Sequence, residues 1–180
     1  LKVLDSEGKG RLSDVVEAIE WSVTHGMQII SMSIGTNVYY DSLREACQNA
    51  YAAGLLLIAA AGNDAVPALD TIDYPARYGS VIAVGATGSD DKRADWSSTG
   101  SELELVAPGV NIYSTYPRGT YKTMSGTSMA CPHVTGTAAL VLKTEVSPSY
   151  DLDKDGIWDA AEVRRRLQDS ADDLGEDGRD

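Results

Sequence analysis

The sequence predicts an α/β fold, a mainly parallel sheet flanked by helices on both faces, and three features of its patterning predict it. Helical and strand-like segments alternate regularly over the first 60 residues or so, as crossover-built parallel sheets require. The strand-like runs are continuously apolar instead of alternating, so they are expected to be buried on both faces. The strongest helical pattern is apolar on almost every side, which predicts a central, buried helix.

In order along the chain, Lys2-Val3-Leu4 has the character of a strand end, followed by the Gly-rich loop Asp5 to Gly10. Ser13 is placed to cap a helix whose apolar positions Leu12, Val16, Ile19 and Val23 recur at three- and four-residue spacing, with Gly26 as its stop. Residues 28–34 and Leu55 to Ala60 form apolar runs of strand length, separated by a second helix from about Ser42 to Ala53. From Val81 to Tyr121 short strands alternate with Gly and Pro turns, Val81 to Val84 and Leu103 to Val106 among them. The long helix runs from about Thr127 to Lys143, and beyond Pro148 the composition turns acidic. No repeat or linker interrupts the 180 residues, so a single domain is expected.

A formal net charge of −12 argues against nucleic acid or an anionic membrane surface as partner. No stretch reaches the roughly 18 to 20 apolar residues that span a bilayer. Two cysteines, Cys47 and Cys131, are too few for a disulfide scaffold. The chain opens on Leu1 with no charged and apolar leader, and is expected to be a piece of a longer protein.

Ser125-Gly126-Thr127-Ser128-Met129-Ala130-Cys131-Pro132-His133-Val134 places Ser128 where loop becomes helix. Orphan N–H groups and the positive end of the helix dipole there favour a developing oxyanion, although a serine at that position can equally be a simple cap. The stretch resembles the nucleophile motif of the subtilase family of serine proteases. Further segments follow in subtilase order: Val3-Leu4 with its Gly-rich loop, Ile30 to Gly35, Ala59 to Asn63, Ser80 to Ala86, and Val106 to Val110. The resemblance implies the α/β domain of that family, N-terminally incomplete, acting as an endopeptidase through an acyl-enzyme on Ser128. It implies oxyanion stabilisation by the Asn63 amide, protein or peptide substrates, and secretion.

Subtilase triads run Asp, His, Ser, and the first two members would precede Leu1. His133 lies five residues beyond Ser128 on one helix, about 140° round from it, and cannot serve as the base. His25, at the end of the first helix, matches no catalytic position of the family. The alternative reading is therefore an inactive fragment that binds peptide or complements a separate N-terminal segment or a propeptide.

By the same resemblance, extended substrate lies between Gly8-Lys9-Gly10 and Ser33-Ile34-Gly35 as an added strand. Ser33-Ile34-Gly35 and Ala60-Ala61-Gly62 then wall the primary pocket, with Thr127 beside it. Asp64 and Asp73 match positions at its rim and floor, where their charge would favour Arg or Lys, unless they are loop carboxylates facing water. The family's cation site of backbone carbonyls maps to Ala76, Tyr78 and Val81.

The last expectation rests on spacing. Asp151-Leu-Asp153-Lys-Asp155-Gly156-Ile157-Trp-Asp159-Ala-Ala-Glu162 fits a twelve-residue EF-hand loop, with oxygen-bearing side chains at positions 1, 3, 5, 9 and 12 and glycine at 6. Ca2+ would be held by Asp151, Asp153, Asp155, the Ile157 carbonyl and a bidentate Glu162, with Asp159 acting directly or through water. Against the usual subtilase pattern the loop at 151–162 is an insertion. A calcium-binding interaction module is the third functional reading.

Overall fold

The computed structural model describes residues 1–174. The elements are α1 (Leu12–Thr24), β1 (Ile29–Met32), α2 (Asp41–Ala52), β2 (Leu56–Ala60) and β3 (Val81–Thr87). They are followed by β4 (Leu103–Pro108), β5 (Ile112–Tyr116), β6 (Thr120–Met124), α3 (Thr127–Val141) and α4 (Ala160–Ser170). The four strands β1-β2-β3-β4 pair in that order and all in parallel, while β5 and β6 form a separate antiparallel hairpin.

Strand periodicity explains the layering. Successive side chains of a strand point to opposite faces. Leu57, Ala59, Val81 and Ala83 therefore join α1 and α2 in one core, with Ile19, Leu43 and Cys47. Leu56, Ile58, Ala60, Ile82 and Val84 join α3 and α4 in the other, with Ala130, Cys131, Val134 and Val163. All residues of β2 and β3 are buried, as their unbroken apolar runs require.

Several boundaries differ from the sequence expectation. Lys2 to Leu4 forms no strand; Asp5 instead closes a tight turn, its N–H donating to the Lys9 carbonyl and its carboxylate accepting from the N–H groups of Glu7 and Lys9. Helix α1 starts at Leu12, one residue before the expected cap, and the Ser13 hydroxyl donates to the Asp14 carboxylate instead of capping. Packing of Leu12 against the first core accounts for the earlier start. The start of α2 is set from outside the helix: the Tyr78 hydroxyl donates to the Tyr40 carbonyl and accepts from the Tyr40 N–H.

Helix α3 is not buried all round. Thr127, Ala130, Cys131, Val134 and Ala138 are buried, but Pro132, His133, Gly136, Thr137, Ala139 and Leu140 are exposed. Apolar composition permits burial on every side; here the described elements cover only one face.

Candidate active site

Ser128 is the second residue of α3, in a first turn where the Thr127 N–H donates to Asn63 and the Met129 N–H to the Gly126 carbonyl. Its surroundings follow from Pro132. Proline has no N–H, so the carbonyl four residues earlier, that of Ser128, loses its helical donor. The Ser33 hydroxyl takes over, donating to the Ser128 carbonyl at 2.8 Å, while the Ser128 hydroxyl donates to the Ser33 carbonyl at 3.4 Å. The end of β1 is thereby stitched to the start of α3.

Asn63 follows β2, beyond Gly62, which has φ +111°, a conformation open to glycine at little cost. The Asn63 side-chain oxygen accepts from the Thr127 N–H at 2.9 Å and from the Thr127 hydroxyl at 3.2 Å. A backbone N–H must meet an oxygen, so this contact fixes which way the amide faces and leaves its NH2 group as the free donor. The Thr127 hydroxyl in turn accepts from the Gly62 N–H at 3.1 Å. Thr127, expected from sequence beside the pocket, is fully buried and bonded to Asn63.

Neither histidine approaches this pair. His133 turns its Nδ1 back to the Met129 carbonyl, and His25 stacks on Trp21 and bonds the Trp21 carbonyl. The two cysteines are buried, and burial raises both thiols, Cys47 to about 12, so neither supplies a nucleophile.

Gly8, Gly10, Ser33, Ile34 and Gly35 line one cleft of about 420 Å³, with Leu4, Leu12 and Tyr74. These are the two segments expected from sequence to face one another. Lys9 lies outside that cleft, exposed and paired with Glu7. Ala60 and Ala61 are buried, one in each core.

Asp64 is exposed, while Asp73 is half-buried and interleaved between the two walls. The Asp73 N–H donates to the Ala61 carbonyl, and the next residue, Tyr74, exchanges both backbone hydrogen bonds with Thr36. A methyl group on either Gly35 or Gly62 would come within 2.9 Å of Asp73 Oδ2. Burial, and secondarily the charge of Asp64, hold the Asp73 carboxyl above its ordinary value.

For a metal, Asp151, Asp153 and Asp155 each bring a carboxylate oxygen to within 4.8 Å of the others. The fit is to a hard, oxygen-seeking cation. Asp159 and Glu162 are not in that cluster. They form the capping box of α4: the Asp159 carboxylate accepts from the Glu162 N–H, and the Glu162 carboxylate accepts from the N–H groups of Asp159 and Leu152. The sequence signal was present, since Asp-x-x-Glu before a helix is a cap signature as well as the end of a calcium loop. At the other cation site, the Tyr78 carbonyl already accepts from the Val81 N–H, so one of the oxygens expected from Ala76, Tyr78 and Val81 is engaged within its own loop.

Ser33 was expected only as a groove wall, and its bond to the Ser128 carbonyl was missed. Pro132 was the available signal, because a proline inside a helix announces an orphaned carbonyl four residues back. Arg164, which reaches from α4 to Glu104 and to the Gly79 carbonyl, left no such signal.

A serine at a helix start, bound through the same turn to an asparagine at the end of a buried parallel strand, sits in an α/β fold of the kind found in subtilisin-like serine proteinases. The chain belongs to the subtilase family, whose model (Peptidase_S8) matches residues 1–180. It is 46% identical to subtilisin DY of Bacillus licheniformis over 177 residues, covering 98% of this chain and 61% of that protein. It is 44% identical to subtilisin E of Bacillus subtilis, covering 97% of this chain and 44% of that protein. Among solved structures, sphericase superimposes with a TM-score of 0.81 at 33% identity, and a cold-adapted subtilisin-like serine proteinase with 0.82 at 34%. Those matches cover 94% of this chain and 58% of either structure, so the chain spans well under two thirds of these relatives. No helix among the described residues is long and apolar enough to cross a membrane.

Proposed function

We propose that the protein is a serine endopeptidase that cuts peptide bonds through an acyl-enzyme on Ser128. The observation that carries this reading is the Asn63–Thr127 lock, which holds the Asn63 amide by its oxygen against the first turn of α3, where Ser128 stands. The Asn63 amide and the Ser128 N–H would bind the oxyanion, in a preorganised form that costs no rearrangement during reaction. The general base is supplied from outside these 180 residues. Substrate is an extended peptide laid between the segments at residues 8–10 and 33–35, and secretion is part of the same reading, supported by family membership alone.

The test uses the full-length protein and a serine-directed fluorophosphonate. Labelling and peptidase activity that Ser128→Ala abolishes support the reading, and an unlabelled, inactive full-length protein sinks it in favour of a peptide-binding fragment. Asn63→Leu should lower kcat with little change in KM, because the amide acts on the transition state. The expected size is that of losing an oxyanion donor in subtilisin itself, about 100- to 1000-fold.

Calcium belongs to the same proposal as a structural ion of residues 151–162. Asp151, Asp153 and Asp155 are its side-chain ligands and Ile157 contributes its carbonyl. Support comes from the clustered carboxylates and from the Gly156 N–H bonding Asp151, which closes the loop around them. Asp159 and Glu162 start from the helix cap, and Glu162 joins the shell only by turning away from Leu152.

A further inference from the structure

We propose that Cys131 is a positioning residue for Ser128: its side chain ties the first turn of α3 to β1 and β2, and with Ser31 and Thr135 it holds the nucleophile in place. This rests on the endopeptidase reading above and adds to it a residue that acts through Ser128 without meeting substrate.

The need for such a tie comes from the helix itself. Helical residues are held by bonds four residues apart, and Pro132 removes the one that would hold the Ser128 carbonyl. The turn that carries Ser128 is therefore held from the side, by Ser33 at the Ser128 carbonyl and hydroxyl. Cys131 starts a second lateral tie within the same turn. Residues 128, 131 and 135 are three and four apart and share one face of α3, while residues 31 and 33, two apart, point to one side of β1 and its continuation.

Distances join the two sets. The Cys131 Sγ lies 3.6 Å from the Ser31 hydroxyl and 3.6 Å from the Ile58 carbonyl of β2, and the Thr135 hydroxyl lies 3.0 Å from that of Ser31. One direction of donation satisfies all three contacts: Thr135 donates to Ser31, Ser31 to the sulfur, and the thiol to Ile58. Cys131 is fully buried, so water does not compete for these bonds. Burial raises its thiol, while the polar groups of Ser31, Met32, Ser33 and Thr135 around it oppose that rise. Cys47 is the contrast, equally buried but in the apolar core with Ile19 and Leu43, where burial alone raises it to about 12. Bonds to sulfur are weak, so what the tie contributes is placement, and a nucleophile displaced by about 1 Å loses on the order of 100-fold in rate.

The experiment measures kcat and KM of the full-length protein on one peptide, with kcat taken per serine labelled by the fluorophosphonate. Cys131→Val is close in size and forms none of these bonds. It should lower kcat by on the order of 10- to 100-fold with KM little changed, because Cys131 lies outside the cleft at residues 8–10 and 33–35. Cys131→Ser, which keeps a donor and an acceptor, should retain most of the rate, and Ser31→Ala should cost less than Cys131→Val because the thiol keeps Ile58. Should Cys131→Val fail to fold, Cys131→Ala removes the same bonds without added bulk and is read the same way. An unchanged kcat in these two variants, or a loss in Cys131→Ser as large as theirs, overturns the proposal. If the unmodified protein cuts no peptide, the endopeptidase reading fails, and Raman spectroscopy still decides the tie. The S–H stretch of Cys131, isolated by subtracting the Cys131→Ser spectrum, should lie below that of Cys47 and move toward it in Ser31→Ala. Equal stretches for the two thiols overturn the tie.

Discussion

At the scale of single residues, this site is built by polar side chains that hold other side chains. Thr127 is fully buried and bonds both the N–H of Gly62 and the oxygen of Asn63, tying that amide to the turn that carries Ser128. Asp73 shows the opposite condition, a carboxylate whose charge the fold leaves unrelieved. Its pKa in the folded protein is raised, so folding favours its protonated form. Stability is undiminished below the ordinary carboxylate value and is lost as pH rises through the window between that value and the raised one. Asp73→Asn should therefore be more stable than the unmodified protein at pH 7, with the difference vanishing under acid conditions. Solvent screening of a half-exposed group keeps the gain under about 1 kcal/mol, or under about 4 °C in Tm. Paired melting curves at the two pH values check it, and an Asn variant less stable at pH 7 contradicts the sign.

At the scale of elements, the loop at 151–162 and α4 share residues that have two possible uses. Asp151, Asp153 and Asp155 have clustered oxygens, and each accepts one backbone N–H of its own exposed loop, from Gly156, Asp155 and Ile157. Asp159 and Glu162 start the helix, and Glu162 is buried with both oxygens accepting backbone N–H groups. The two uses separate by mutation. EGTA should lower the Tm of the unmodified protein, and Asp153→Ala should abolish that response while leaving the calcium-free Tm nearly unchanged. Glu162→Ala should lower stability by about 1 to 3 kcal/mol even without calcium, because buried N–H groups lose their acceptors. An unmodified protein indifferent to EGTA refutes calcium binding at this loop. The same element-scale logic explains β1 and α3: Pro132 frees a carbonyl that only Ser33, on a different element, satisfies.

At the scale of the whole molecule, the two cores lie on opposite faces of one sheet, and α4 is anchored to the sheet by charge as well as packing. Arg164 forms an ion pair with Glu104 on β4, its guanidinium also donating to the Gly79 carbonyl, and Gln168 donates to the same carboxylate. The pair is largely shielded, with side-chain exposures of 19% and 11%. Its net worth is modest, since both charges leave water, but breaking it from one side strands a charge. Glu104→Ala should lower the unfolding free energy by about 3 kcal/mol, read as a lower urea midpoint at constant slope. Replacing both Arg164 and Glu104 with Met should cost less than the single change, and a single variant of unchanged midpoint counts against the account.

The layering was legible without coordinates because it depends on local periodicity. Runs such as Leu55 to Ala60 and Val81 to Val84 are apolar at every position, and only a strand covered on both faces makes that pattern stable in water. Ser128 and Asn63 were singled out by the resemblance of their segments to subtilase motifs, since position alone reads Ser128 as a helix cap and Asn63 as a turn residue after glycine. What the tertiary structure decided are pairings between residues far apart in the chain. Thr127 came to bond Asn63, Ser33 became the donor to Ser128, and Asp73 came to rest between Gly35 and Gly62. Glu162 was taken by a helix cap at a position where spacing alone put a calcium ligand. A hydrogen bond or an ion pair is settled by a few tenths of an ångström between atoms many residues apart, and sequence periodicity holds no record of such distances.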